Sequence, residues 1–227
     1  MKKIINEKYV NPLRSRFVLE YNAMTEEQQH QFDLIETLPK EKKYLKYIKR
    51  KRLPDVKIGT IFVMLLPENI YMYGKIIAKA VNLPMIDAGN FVAMISRITT
   101  KEIENFNFDL TESGILCGPW IIGEGFWKNG TFFTVCEGEL SKKEKKLDIG
   151  FYEMNFRPQE DGKLIDKGFF IDLNGKKIRK EPKFLNHCAY ITIVGIEEEI
   201  RKHVILGDIT TLDNSKYVIS LWKKIEL

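Results

Sequence analysis

The side chains best suited to nucleophilic or metal chemistry are few and widely separated. They are three histidines and three cysteines: His30, His187, His203, Cys117, Cys136 and Cys188. No zinc-ligand spacing, Cys-x-x-Cys pair, phosphate loop or Gly-x-Ser-x-Gly elbow occurs among them or elsewhere in the chain. His187 and Cys188 are adjacent, but neighbouring residues of a strand point to opposite faces and cannot form a nucleophile–base pair. Cys117 with His187 or His203 is the one pairing left open, and the sequence otherwise predicts no catalytic residue, metal or cofactor.

The cysteines and the first residues also indicate a cellular compartment. An odd number of distant cysteines is typical of reduced, buried thiols in the cytosol. The basic opening Lys2-Lys3 resembles the start of a signal peptide, but Asn6, Glu7 and Lys8 interrupt it before an apolar region forms. No apolar run approaches the roughly 20 residues that span a bilayer. We therefore expect a cytoplasmic protein that does not enter membranes.

Positive charge is concentrated near the start of the chain. Residues 1–52 hold 13 Lys and Arg against 7 Asp and Glu, a net charge of +6, whereas the whole chain carries +5, so the remainder is close to neutral. The densest part forms a candidate basic patch: Lys42, Lys43, Lys46, Lys49 and Arg50. Such a patch can bind phosphate, nucleic acid or an acidic protein. The alternative interpretation is the solvated face of an amphipathic helix, with Tyr44 and Tyr47 on its other side.

Aromatic residues cluster between Trp120 and Trp127. Side chains of this kind usually line a core or a pocket. At the tip of a hairpin, in contrast, an exposed Trp127 would be an effective interface anchor, because aromatic side chains bury much area at low rotamer cost. The candidate interface residues are Phe126, Trp127 and Lys128, and both interpretations stay open.

Helical signals are confined mainly to the N-terminal segment. Thr25 and Gln28 have the spacing of a capping box, and Phe32 and Ile35 follow at helical spacing. Beyond Pro39, residues 40–50 predict a second helix with an apolar face. A short late helix is expected over 197–205, where acidic residues in the first turn suit the helix dipole.

From residue 56 onward the periodicity is that of strands. Strands are predicted over 57–66, 70–80, 91–98, 148–154, 189–195 and 217–222. Asn129-Gly130 and Asn174-Gly175 each have strand formers on both sides, and this predicts two tight type I′ hairpins. The pattern indicates a mainly β protein, α+β overall, with a curled antiparallel sheet or barrel-like unit over 55–227 and a short helical segment over 1–54.

Three short segments carry a family resemblance. Lys57-Ile58-Gly59-Thr60-Ile61-Phe62-Val63 has a lysine and a glycine just before an apolar strand. Tyr71-Met72-Tyr73-Gly74-Lys75-Ile76-Ile77 has an aromatic-glycine-basic step, and Trp120-Ile121-Ile122-Gly123 is a later strand with a tryptophan. In these features the chain resembles the immunity protein 26 family over roughly residues 55–160. Thr60 stands where that family more often has an acid.

The resemblance implies a function that composition does not reveal. A member of this family is expected to bind and neutralise a cognate polymorphic toxin inside the producing bacterium by steric occlusion. Phe126, Trp127 and Lys128 are then the predicted toxin contacts. The same family label has been joined to a phosphotriesterase, so a hydrolase is the alternative from a different class, although such chemistry needs several metal ligands. A nucleic-acid-binding module that uses residues 40–52 is the third possibility.

Overall fold

The N-terminal segment contains two helices. The computed structural model describes residues 2–5, 11–37, 44–84, 86, 89–158 and 164–207. Helix α1 (Pro12–Ala23), which the sequence analysis did not predict, begins where Asn11 Oδ1 accepts hydrogen bonds from Leu13 N–H and Arg14 N–H. Helix α2 (Glu26–Thr37) starts at the predicted capping box. Thr25 N–H donates to Gln28 Oε1 at 2.9 Å, and Gln28 N–H donates to Thr25 Oγ1 at 3.2 Å. The capping-box prediction is confirmed.

The predicted second helix over 40–50 is wrong in its described part. Residues 44–53 form an extended segment, and residues 40–43, including Lys42 and Lys43, lie outside the described residues. Lys46 N–H donates to Leu65 O at 2.8 Å and Ile48 N–H donates to Gly130 O at 2.8 Å. These distant carbonyls replace the i−4 acceptors that a helix would use.

A five-stranded antiparallel sheet, sheet A, forms the centre of the fold. Its strands are β1 (Ile61–Leu66), β2 (Ile70–Lys79), β3 (Phe91–Thr100), β4 (Ile115–Ile122) and β5 (Phe132–Cys136). Their order across the sheet is β4-β3-β2-β1-β5. The strands predicted over 57–66 and 70–80 are found as β1 and β2, which form a hairpin whose turn has positive φ at Glu68 and Asn69. Most residues of these strands are buried, as expected for a sheet covered on both faces.

A second, mixed sheet packs against sheet A. Its strands are β6 (Ile149–Glu153), β9 (Phe169–Asp172), β10 (Lys177–Ile178) and β11 (Phe184–His187), in the order β10-β9-β6-β11, and β11 runs parallel to β6. A separate short pair consists of β7 (Phe156–Pro158) and β8 (Leu164–Asp166). The predicted hairpin at Asn174-Gly175 is confirmed by the β9–β10 pairing. Its turn is not type I′, since only Gly175 has positive φ.

The predicted hairpin at Asn129-Gly130 is wrong. Residues Gly125–Lys128 form a single helical turn, α3, and not a strand. Asn129 N–H donates to Gly125 O, and Gly130, at φ 83°, donates to Trp127 O. The glycine therefore ends a helical turn, which is another common use of a left-handed residue.

The late helix α4 (Ile193–Ile205) begins four residues before the predicted position. Thr192 caps it through a bond from Gly195 N–H to its side chain. The strand predicted over 189–195 is wrong, because 193–195 are helical and the rest contributes only an isolated bridge at Tyr190. The strand predicted over 217–222 lies outside the described residues. Ile196, Ile200 and Val204 of α4 pack on one face of sheet A, and the mixed sheet covers the other face. A mainly β, α+β fold is confirmed, and the described strands do not close into a barrel.

Candidate functional site

The motif over 57–60 forms a tight turn that leads into β1. Gly59 has φ 92°, and a Cβ atom there would lie 1.8 Å from Gly138 O, so only glycine fits. Thr60 is fully buried, and its Oγ1 accepts a 3.0 Å hydrogen bond from Lys57 N–H. A carboxylate oxygen at this position could accept the same bond, which explains how threonine can stand there.

The aromatic-glycine-basic step lies in the middle of β2. A Cβ atom on Gly74 would lie 2.4 Å from Phe62 Cζ, so the glycine makes room for that buried ring. The Tyr73 hydroxyl is 3.0 Å from Thr100 Oγ1 and accepts a 2.9 Å bond from Glu104 N–H. Tyr73 therefore ties the end of β3 and the loop after it to the sheet.

Lys75 forms a buried ion pair with Glu144. Both side chains are 0% exposed, and Lys75 Nζ lies 2.8 Å from Glu144 Oε1 and 2.8 Å from Phe108 O. Glu144 also accepts bonds from Leu110 N–H at 2.9 Å and Ser141 N–H at 2.7 Å. Burial acts to raise the pKa of Glu144, but these hydrogen bonds and Lys75 outweigh it and hold the pKa below 4.5. The pair joins two loops to β2. Gly59, Thr60, Tyr73, Gly74 and Lys75, the motif residues described above, therefore have structural roles.

A different set of cations is exposed on the extended segment over residues 44–53, here called the basic strap. Two buried residues hold its beginning in place. Leu45 N–H donates to Glu197 Oε1 at 2.8 Å, and the Tyr44 ring lies under the Arg201 guanidinium, 4.5 Å from the ring centroid. Burial raises the pKa of Tyr44. The strap is therefore anchored on α4 before it reaches the surface.

Five cations and no carboxylate occur along the basic strap. They are Lys46, Lys49, Arg50, Lys51 and Arg52, and all five are exposed. Their formal charge equals the +5 of the whole chain. Tyr47, 61% exposed, lies among them and also packs against Gly130. The candidate patch included Lys46, Lys49 and Arg50, and the predicted basic segment 40–52 also contains Tyr47, Lys51 and Arg52.

The three predicted interface residues lie in the helical turn α3. Trp127 is fully buried, and its Nε1–H donates to Thr134 Oγ1 at 3.0 Å. Phe126 is half-buried and stacks on Phe132, with 4.7 Å between ring centroids. Lys128 is exposed, and its Nζ lies 2.8 Å from Glu124 Oε2. Of the three, Lys128 is the side chain that is most accessible to a partner, while Trp127 belongs to the core.

The structure brings the two predicted sets of site residues together. Lys51 N–H donates to Trp127 O at 3.1 Å, and Ile48 N–H donates to Gly130 O. The basic strap therefore lies along α3, so Lys128, which is paired with Glu124, lies next to the strap. Toxin contact at Phe126, Trp127 and Lys128 stays a prediction, and the buried indole restricts it to the outer face of α3.

The histidines and cysteines do not form a reactive cluster. The three cysteines are free, and burial raises the pKa of the Cys117 thiol well above its usual range, so the thiol stays protonated. Burial also lowers the pKa of His187. Within the described part of the chain, no group of three His, Cys, Asp or Glu residues could hold a metal ion. The described helices likewise include none long and apolar enough to cross a membrane.

Comparison with known proteins gives one family match. Residues 57–162 match the family model described as Immunity protein 26, which confirms the resemblance drawn from the three short segments. No curated protein and no solved structure matches the chain significantly. The match begins after the basic strap and includes the Gly59 turn, Lys75, Glu144 and α3.

Proposed function

We propose that this chain binds and neutralises a cognate bacterial polymorphic toxin in the cytoplasm of the producing cell, and the match of residues 57–162 to the Immunity protein 26 model supports this proposal. A stoichiometric inhibitor needs a complementary surface and no catalytic groups. Steric occlusion of the toxin's active site is the mechanism that this requirement favours.

The observation that carries the proposal is the basic strap beside α3. Its five cations have no carboxylate among them, and Lys128 lies next to them. An acidic protein surface is the complementary partner. Opposite charge across an interface speeds encounter and selects the correct partner.

The strap is held in shape before a partner binds. Its backbone bonds to Leu65 O, Gly130 O and Trp127 O fix an extended conformation, and Tyr44 and Leu45 anchor its first residues in the core. A preformed surface loses little conformational freedom on association, which favours tight binding. Tyr47 is the aromatic side chain best placed to serve as an anchor, since it is both exposed and supported by Gly130.

The test begins with a search for a toxin gene beside the gene for this chain, and then measures whether the chain protects cells that express that gene's product. We expect protection and a one-to-one complex with an inactivated form of that toxin, without turnover of small substrates. Lys49→Glu combined with Arg50→Glu should weaken binding at least about tenfold, because two attractive contacts become repulsive. The matched control is Lys142→Glu with Lys143→Glu, which changes the net charge equally at exposed positions of another loop.

Two results would contradict the proposal. The first is the absence of both protection and a complex with the neighbouring toxin. The second is a tight complex with a defined oligonucleotide at physiological salt, which would assign the basic strap to nucleic acid. Binding to phosphates through these cations should in any case weaken steeply as salt is raised, because counterions are released.

A further inference from the structure

Strand β5 is the edge of sheet A next to the basic strap. It pairs with β1 on one side, and no other described strand pairs with it on the other. Its sequence from Thr131 to Cys136 contains neither a charged residue nor a proline. Natural sheet edges commonly carry such residues as protection against unwanted pairing, so the part of this edge that precedes the register shift is suited to accepting a strand.

The ladder shows which backbone groups of β5 face outward. Lys46 N–H donates to Leu65 O, so the backbone groups of Leu65 point away from β2. Those of Val63, two residues earlier on the same strand, point the same way and meet Phe133. The N–H and C=O of the next residue, Thr134, therefore point to the free edge.

The edge is regular from Phe132 to Thr134. The register shift between β1 and β5 lies between Phe62, which pairs with Thr134, and Ile61, which pairs with Cys136, so the irregularity follows Thr134 directly. The side chain of Thr134 accepts the bond from Trp127 Nε1, and Phe132 stacks on both Phe62 and Phe126. An incoming strand would meet backbone groups that are already fixed in position.

Charge complementarity identifies the occupant. The basic strap passes the start of β5, because Ile48 N–H bonds to Gly130 O two residues before Phe132. A strand added to β5 lies about 4.8 Å from it and has one end beside these cations. We infer that β5 accepts an extended acidic segment of the toxin by β-strand addition. Main-chain bonds then supply affinity and the strap selects an acidic sequence. This inference rests on the proposed function.

Amide hydrogen exchange on the full chain tests the inference, with the inactivated toxin encoded beside it as the probe. Phe133 N–H, which faces β1, is the internal control for Thr134 N–H. In the free protein we expect Thr134 to exchange at least about tenfold faster than Phe133. In the complex its exchange should slow at least about tenfold, while the exchange of Phe133 changes little.

A second measurement removes the outward donor and weakens the acceptor strength of only one inward group, the Phe133 carbonyl. Replacing the amide of Thr134 by an ester should raise the Kd for the toxin about tenfold and leave the fold intact. The same replacement at Phe133 should instead destabilise the protein, because that N–H bonds to β1.

The outcomes separate this inference from the proposed function. A one-to-one complex in which Thr134 exchange is unchanged overturns strand addition and leaves toxin binding in place. Protection of Thr134 in the free protein, whether by another segment of the chain or by a second copy, also overturns it. Failure to form any complex overturns both.

Discussion

Lys75 and the basic strap use positive charge in opposite ways. Lys75 is fully buried, and its ammonium group has fixed partners in Glu144 and Phe108 O. The strap cations are exposed and follow one another along an extended backbone without a carboxylate between them. Removing a charge from a buried pair leaves its partner unpaired in the core, whereas removing an exposed charge leaves its neighbours in water.

The two kinds of charge also differ in where they lie relative to the family match. Lys75 lies within the matched range 57–162, and so do Gly59 and Gly74, which allow close packing. The basic strap, residues 44–53, lies before that range, whereas Lys128 and β5 lie inside it. The matched range therefore contains residues that hold the fold as well as residues proposed to contact a partner.

The largest effect is expected from breaking the buried ion pair. Lys75→Met should lower the free energy of unfolding by about 3–5 kcal/mol, because Glu144 would be left buried without its cation. Denaturant unfolding measures this change. The matched surface pair is Lys57–Asp55, whose side chains are 57% and 61% exposed. Lys57→Met should cost less than about 1 kcal/mol, and equal losses at Lys75 and Lys57 would contradict the comparison.

Trp127→Ala should have an effect of similar size. The indole is fully buried between Phe62 and Phe132, so its removal leaves a cavity that costs about 3–5 kcal/mol. The melting temperature and the toxin affinity are measured on the same variant. Lost stability with retained affinity in the folded fraction would exclude the indole as a direct contact. Unchanged stability with lost affinity would show instead that Trp127 is an interface residue.

Most fold elements that are indicated by a few adjacent residues could be predicted from the sequence. Thr25 and Gln28 lie three residues apart, and the β1–β2 hairpin closes over Pro67–Asn69, so each feature is contained in a few adjacent residues. The glycine of Asn129-Gly130 did adopt positive φ, as expected. That conformation suits a hairpin and a helix end equally, and only the packing of Trp127 decides between them.

The basic strap shows why part of the candidate site could not be predicted. Tyr44, Leu45 and Ile48 have a spacing compatible with one helix face. Their actual conformation depends on Glu197, Leu65 and Gly130, which are distant in sequence. The charge of the site was therefore readable, but its extended shape and its contact with α3 were not. The division into segments 1–54 and 55–227 stays a prediction.

The pH dependence of stability should report the buried pair. The pKa of Glu144 is lower in the folded protein than its ordinary value of 4.5. Its contribution to stability is therefore complete above pH 4.5 and is lost as the pH falls through the lower, folded value. Between pH 7 and pH 3, the free energy of unfolding should fall less in Glu144→Gln than in the wild type. The variant should nevertheless be less stable than the wild type at pH 7. If the free energy of unfolding changed equally with pH in both proteins, Glu144 would not contribute to the acid sensitivity.

The smallest effect on stability is expected in the basic strap itself. Lys49→Ala with Arg50→Ala removes two exposed side chains, while the backbone bonds from Ile48 and Lys51 that hold the strap are retained. The free energy of unfolding should change by less than about 0.5 kcal/mol. The association rate with the inactivated toxin should fall, and the fall should be larger at low salt than at high salt, because exposed charges act at a distance that salt shortens. Stopped-flow mixing at two salt concentrations measures this, with Lys142→Ala and Lys143→Ala as the control. If the strap variant lost stability as Lys75→Met does, the strap would belong to the fold and not to the partner, and the contrast between buried and exposed cations would fail.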